Sequence, residues 1–287
     1  MPGGDTFAFS TIAIIVVTLI YSWIGFRHSE FCEKYMFALP EILAGKQYYR
    51  LFTSALLHAN WNHLALNMVS LLLLGRPLEV YLGASQFLLI YGAAILGGSL
   101  LSLWIHRHHE YKAYGASGGV CGVVFSYVLL SPTGNLGLFL LPVAIPAWLY
   151  AILFFAGSFV AMKRDKDNIG HDAHLGGAII GFWTTAALNP DLVRIHPNIF
   201  LTISGLSVLL FVYLVKNPLM LPMKVFLPIH ANARSAPKPR PEQVDNIAAL
   251  DAILEKISKS GVQSLSRKEK SILADASKRM RQSNQGE

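Results

Sequence analysis

Seven apolar segments, at about 7–26, 53–75, 84–105, 116–132, 136–162, 171–188 and 198–216, constrain what this 287-residue chain can fold into. A bilayer core of about 30 Å needs roughly 20 apolar residues of helix, and each backbone polar group must find its partner inside the protein. Only 14% of the residues are charged, against about 25% in soluble domains, and the mean hydropathy is +0.43. The expected fold class is therefore an all-α polytopic membrane protein. The first segment, FAFSTIAIIVVTLIYSWIGF, has no basic residue before it and no small-residue cleavage pattern, so it reads as a retained span rather than a signal peptide. Several segments fall short of a free-standing span. Short, glycine-rich helices fit a membrane only inside a bundle. The fourth and sixth segments are the shortest, and both open on polar residues.

Charge and composition change along the chain. The formal net charge is +7, of which +3 lies in 1–230 and +4 in 231–287. Basic residues near lipid headgroups account for this sign, and nothing points to nucleic acid. Two cysteines, Cys32 and Cys121, are too few for a disulfide framework. A proline-rich linker is expected over 217–241 and an amphipathic helical tail over 242–287. In the tail Ile247, Leu250, Leu254 and Ile257 recur at helical spacing, and Gly261 ends the run. Ser266 then precedes Glu269 by three residues, a capping box before Ile272, Leu273, Ala276 and Met280. This reads as a small helical hairpin with no catalytic constellation.

Polar residues inside spans are costly, and are functional candidates for that reason. The second segment holds HANWNHLALN, with His58, His63 and Asn67. His63 and Asn67 are four apart and share a helix face; His58 lies just off it. The fourth segment opens with YGASGGVCG around Ser117, and the sixth with HDAHLGGAIIG around His174. Ser117 begins a helix, where free N–H groups and the positive dipole end stabilise a developing oxyanion. Serine needs a neighbouring base to act as a nucleophile. Gly118 and Gly122, like Gly177 and Gly181, form small-xxx-small faces that admit close helix contact. If those faces meet, Ser117 and His174 come within reach of each other. Taken alone, Ser117 reads first as a small packing residue.

Together, G-A-S-G at 115–118, H-x4-H-x3-N at 58–67 and A-H-x-x-G at 173–177 resemble the rhomboid intramembrane serine proteases of bacterial type, in the same order along the chain. Tyr49–Arg50 matches that family's aromatic–arginine pair in the first loop. The resemblance covers about 7–190. It implies a six-span bundle over 1–190 and a Ser117–His174 dyad without a third acid; the last apolar segment adds a further span over 191–216. It also implies an oxyanion wall of His63, Asn67 and the Ser117 N–H supported by His58, glycine packing at Gly115, Gly118 and Gly177, and no cofactor. The implied partners are transmembrane protein substrates and the lipid bilayer, and the implied location is a bacterial plasma membrane. One departure stands out: the family often has an aromatic residue four after the serine, packed on the histidine, and here it is Cys121, read as a small packing residue.

Other readings carry less weight. H-D-x-H at 171–174 lacks the glutamate of a zinc-protease motif, so no metal is expected. His106, His108 and His109 read as a solvated loop facing headgroups. Trp148, Phe154 and Phe155 read equally as lateral-gate or lipid-facing aromatics, and KRDKDN at 163–168 as a solvated turn. With seven spans, one set of loops holds 14 Lys/Arg and the other two. The positive-inside rule then puts the loops leading to Ser117 and His174 in the cytoplasm. The resemblance implies the opposite orientation, which is preferred here. Two rival functions remain: an inactive rhomboid-like binder of membrane helices, and a small transporter using the same polar residues as a relay.

Overall fold

A helix that is apolar all round must be buried or face lipid, and both kinds occur in this chain. The computed structural model describes residues 8–107, 110–137, 144–164 and 170–216, together with Ser266 and Glu269. Four described helices are long and apolar enough to cross a membrane: Phe9–Arg27, Trp61–Leu82, Ala84–His106 and Pro197–Lys216. Shorter helices run over Ser117–Leu130, Ala147–Arg164 and His171–Leu188. The Ser117 helix, with 14 residues, is only about 21 Å long. It is also the innermost, with 10 of its residues buried, so neighbours rather than lipid surround it. Val16, Ile20, Leu201, Leu209 and Phe211 on the first and last helices stay exposed.

Two segment boundaries differ from expectation. The second long helix begins at Trp61, not near 53, because the Asn60 side chain accepts the His63 N–H at 2.9 Å and caps it there. Residues 50–56 form short helical turns instead. The helix then continues to Leu82 through a π turn at Leu71–Gly75. Among the described residues of the segment expected over 136–162, the helix starts at Ala147. Before it, Asn135–Gly137 pairs antiparallel with Ala144–Pro146.

The only buried residues of the first helix are Thr11, Thr18 and Ser22, a polar stripe at helical spacing turned toward the bundle. At its N-terminus the buried Glu79 carboxylate accepts the Ser10 and Thr11 N–H groups at 2.8 and 2.7 Å and the Thr11 hydroxyl at 2.7 Å. A carboxylate there satisfies orphan donors and meets the positive helix end. In the loop that follows, the Arg50 guanidinium is buried and donates to the Glu33 and Met36 carbonyls at 2.7 and 2.8 Å. The strand Phe37–Ala38 pairs with Lys112–Ala113, which ties this loop to the segment leading into Ser117.

The helices of Ser117, His174 and Ala84–His106 meet through glycine. A Cβ at Gly177 would collide with the Gly118 carbonyl, and one at Gly181 with Gly122. On the adjoining face a Cβ at Gly176 would stand 2.6 Å from the Gly97 carbonyl, and one at Gly98 2.5 Å from the Ala173 carbonyl. The two glycine faces marked in the sequence therefore do meet. Below the crossing the Ser126 and Thr185 hydroxyls lie 2.7 Å apart.

The chain divides into two compact units, Met1–Pro228 and Ile229–Glu287. In the second, the expected capping box is present: Ser266 N–H donates to Glu269 Oε2 at 2.7 Å, and Glu269 N–H to Ser266 Oγ at 3.3 Å. The rest of the expected linker and helical tail, from 217 onward, lies outside the described residues, as do 165–168 of the expected solvated turn.

Gly177→Val is expected to cost about 1–3 kcal/mol or more, because backbone rather than a flexible side chain fills the space. Gly205→Ala, where a Cβ meets nothing within 4 Å and the position is inside a helix, is expected to keep or raise the thermal midpoint in detergent. Equal midpoints for the two variants would remove the glycine crossing as a determinant of the fold.

Candidate active site

Ser117 and His174 each stand near the N-terminal end of a helix, and the glycine crossing sets those ends side by side. His174 Nε2 lies 2.6 Å from Ser117 Oγ. Both residues are half-buried, so the pair is not enclosed by the bundle. With Nε2 accepting from the hydroxyl, the ring proton sits on Nδ1. The N–H groups of Ser117, Gly118 and Gly119 open this helix and have no carbonyl of their own helix to bond.

The segment before Ser117 is fixed by backbone geometry. Gly115 has φ of +146°, a region that favours glycine. A Cβ there would also press to 2.8 Å from His63 Cε1, and it would lie 3.7 Å from Ser117 Oγ. The His63 ring thus leans over Gly115 beside the serine. Asn67, one turn further and buried, donates its amide to the His63 carbonyl at 3.0 Å. An amide nitrogen carries two protons, so a second donor remains.

His58 sits behind this wall and is 3% exposed. Its Nε2 accepts the Ala116 N–H at 3.3 Å, and its Nδ1 lies 2.9 Å from Ser22 Oγ. Ser22 gives its own proton to the Leu56 carbonyl at 2.9 Å. Nδ1 must then be the donor and the ring neutral. His58 is a strut between the first helix and the residue preceding Ser117, and its ring meets His63 edge-on at 4.9 Å. Ser22 was not singled out in the sequence, although its place in the Thr11–Thr18–Ser22 stripe marks it.

Cys121 packs against the main apolar cluster. His171 meets the His174 ring edge-on at 5.8 Å. Phe155 is buried and Phe154 half-buried, at 5.6 and 5.1 Å from Phe125 of the Ser117 helix. Trp148 is exposed and lines a separate cleft with Pro132, Ile195 and His196.

His106 overturns one expectation. It is buried, ends the Ala84–His106 helix and bonds Asp172 at 3.0 Å, so it is not part of a solvated loop. Two helices converge there and enclose the ring. His108 and His109 lie outside the described residues. No cluster of three metal-ligating side chains occurs among the described residues.

Gly115→Ala is expected to fold yet to lose reactivity of Ser117 toward a fluorophosphonate by about tenfold or more, since the displaced wall no longer faces the serine. Ser22→Ala leaves His58 Nδ1 unpaired and is expected to cost about 1–3 kcal/mol in thermal unfolding. Wild-type behaviour of both would sink this account of the wall.

Comparison with known proteins bears on the family. Residues 45–190 match the rhomboid domain, and residues 241–279 match a family of unknown function, DUF6576. Rhomboid protein 1, mitochondrial, of Saccharomyces cerevisiae is 31% identical over 155 residues, covering 53% of this chain and 44% of that protein. Rhomboid protease GluP of Bacillus subtilis is 30% identical over 190 residues, covering 65% and 35%. RHOMBOID-like protein 12, mitochondrial, of Arabidopsis thaliana is 29% identical over 178 residues, covering 55% and 51%. The chain thus spans between about a third and a half of these relatives' lengths. The matched domain takes in half of the chain and every residue from His58 to His174 described above, and this multi-pass membrane protein belongs to the rhomboid family.

Proposed function

We propose that this chain is an intramembrane serine endopeptidase that cuts transmembrane helices of other membrane proteins near a membrane surface. The observation that carries the reading is the 2.6 Å contact between Ser117 Oγ and His174 Nε2 at adjoining helix ends. Ser117 Oγ attacks the scissile carbonyl while its proton passes to His174 Nε2. The carbonyl oxygen becomes an oxyanion facing the Ser117 N–H, with His63 and Asn67 as further donors. Each such donor is worth roughly 3–4 kcal/mol in a water-excluded site. His174 then returns the proton to the leaving amine. Water from the open side hydrolyses the acyl-enzyme, with His174 again taking a proton. No third acid and no cofactor enters these steps.

The membrane arrangement that goes with this reading is a six-span bundle, with Pro197–Lys216 as a seventh span. A bacterial plasma membrane is the location that goes with this reading; of the three relatives above, one is from a bacterium and two are named as mitochondrial. A substrate helix must unwind to expose its peptide bond, so small or helix-breaking residues are expected near the cut.

Purified protein in detergent is expected to be labelled by a fluorophosphonate, and Ser117→Ala and His174→Ala to abolish labelling. In proteoliposomes the same two variants are expected to stop cleavage of a transmembrane substrate. A folded wild type that neither labels nor cleaves would favour a membrane-helix binder. Solute flux that survives Ser117→Ala would favour a transporter.

A further inference from the structure

Asp172 stands two residues before His174, in the first turn of the same helix, and is 4% exposed. A buried carboxylate persists only with partners. Its Oδ2 lies 3.0 Å from Nε2 of His106, the buried last residue of the Ala84–His106 helix. The His106 ring lies flat on Tyr111, with centroids 3.7 Å apart and planes 7° apart. Tyr111 is itself anchored. Its carbonyl accepts the Leu39 N–H at 3.1 Å, and its ring meets Phe37 edge-on at 5.9 Å. Its hydroxyl lies beside Gly170, where an added Cβ would be 3.4 Å away.

Successive residues of a helix are about 100° apart, so Asp172 and His174 point to nearly opposite sides. Ser117 meets the helix on the His174 side, and His106 grips it from behind. The direction of His174 follows the roll and height of the first turn that carries it.

We propose that Asp172 and His106 are positioning residues for His174. Their hydrogen bond, backed by the Tyr111 stack, fixes the roll and height of the first turn, and so the point from which Nε2 meets Ser117 Oγ. This rests on the dyad reading above. Neither residue touches the reacting atoms. A turn displaced by about 1 Å costs on the order of a hundredfold in rate.

The test uses the full chain in detergent and two readouts: the fluorophosphonate labelling rate of Ser117, and the rate at which diethyl pyrocarbonate modifies His174, followed by mass spectrometry. Asp172→Ala and His106→Ala are expected to slow labelling by about tenfold to a hundredfold and to speed modification of His174. Asp172→Asn and His106→Gln, which keep an acceptor and a donor in place, are expected to stay close to wild type in both readouts. Should the alanine variants fail to fold, the double variant His106→Leu/Asp172→Leu removes both polar partners together, which is far better tolerated than removing one. It is expected to show the same loss. Wild-type rates in the alanine and double variants would overturn the proposal. So would an Asp172→Asn as impaired as Asp172→Ala, because charge rather than attachment would then matter. A wild type that is not labelled overturns the dyad reading alone, because modification of His174 reports its positioning without it.

Discussion

Backbone-to-backbone contact between two helices, at Gly118 against Gly177 and Gly122 against Gly181, is the constraint on which the rest of this structure depends. Lipid tails are as apolar as leucine, so no hydrophobic force draws membrane helices together; close packing and interhelical hydrogen bonds must do it. Only residues without a side chain let the axes approach this far. The approach sets the starts of the two helices side by side, and it leaves the reach of one serine and one imidazole to be closed by 2.6 Å. A methyl group at the crossing would open that gap before it changed any residue of the pair.

Around the crossing, several buried polar groups fasten one segment to another. Glu79 holds the first helix by its N-terminus, and Ser22 with His58 holds it to Ala116. Arg50 closes the loop after the first helix on the Glu33 and Met36 carbonyls. Asp172 joins His106. In surroundings where an unpaired polar group costs several kcal/mol, such pairs are specific as well as stabilising. They place the loop, the strand leading to Ser117 and the start of the His174 helix in one frame. The chemistry proposed here needs that frame, since a dyad without a third acid relies on orientation.

The sequence by itself determined the membrane class, most of the helices and the two glycine faces, because span length, hydropathy and small-residue spacing are local properties. It also marked Ser117, His63, Asn67 and His174, since polar residues in apolar helices are too costly to be incidental. It even carried the Ser266–Glu269 cap, a bond within one turn. What only the tertiary structure decided depends on segments far apart in the chain. His106 looked like one of three loop histidines until a residue 66 positions away enclosed it. The segment over 136–162 looked like a continuous span, yet its first part found a strand partner and the helix waited until Ala147. Ser22 and Thr11 sit within an apolar run that assigned no role to them, and they form its inward face where His58 and Glu79 meet them. Local pattern fixes what a segment prefers, whereas burial and polar pairing depend on which neighbour arrives, and that is settled only when the bundle closes.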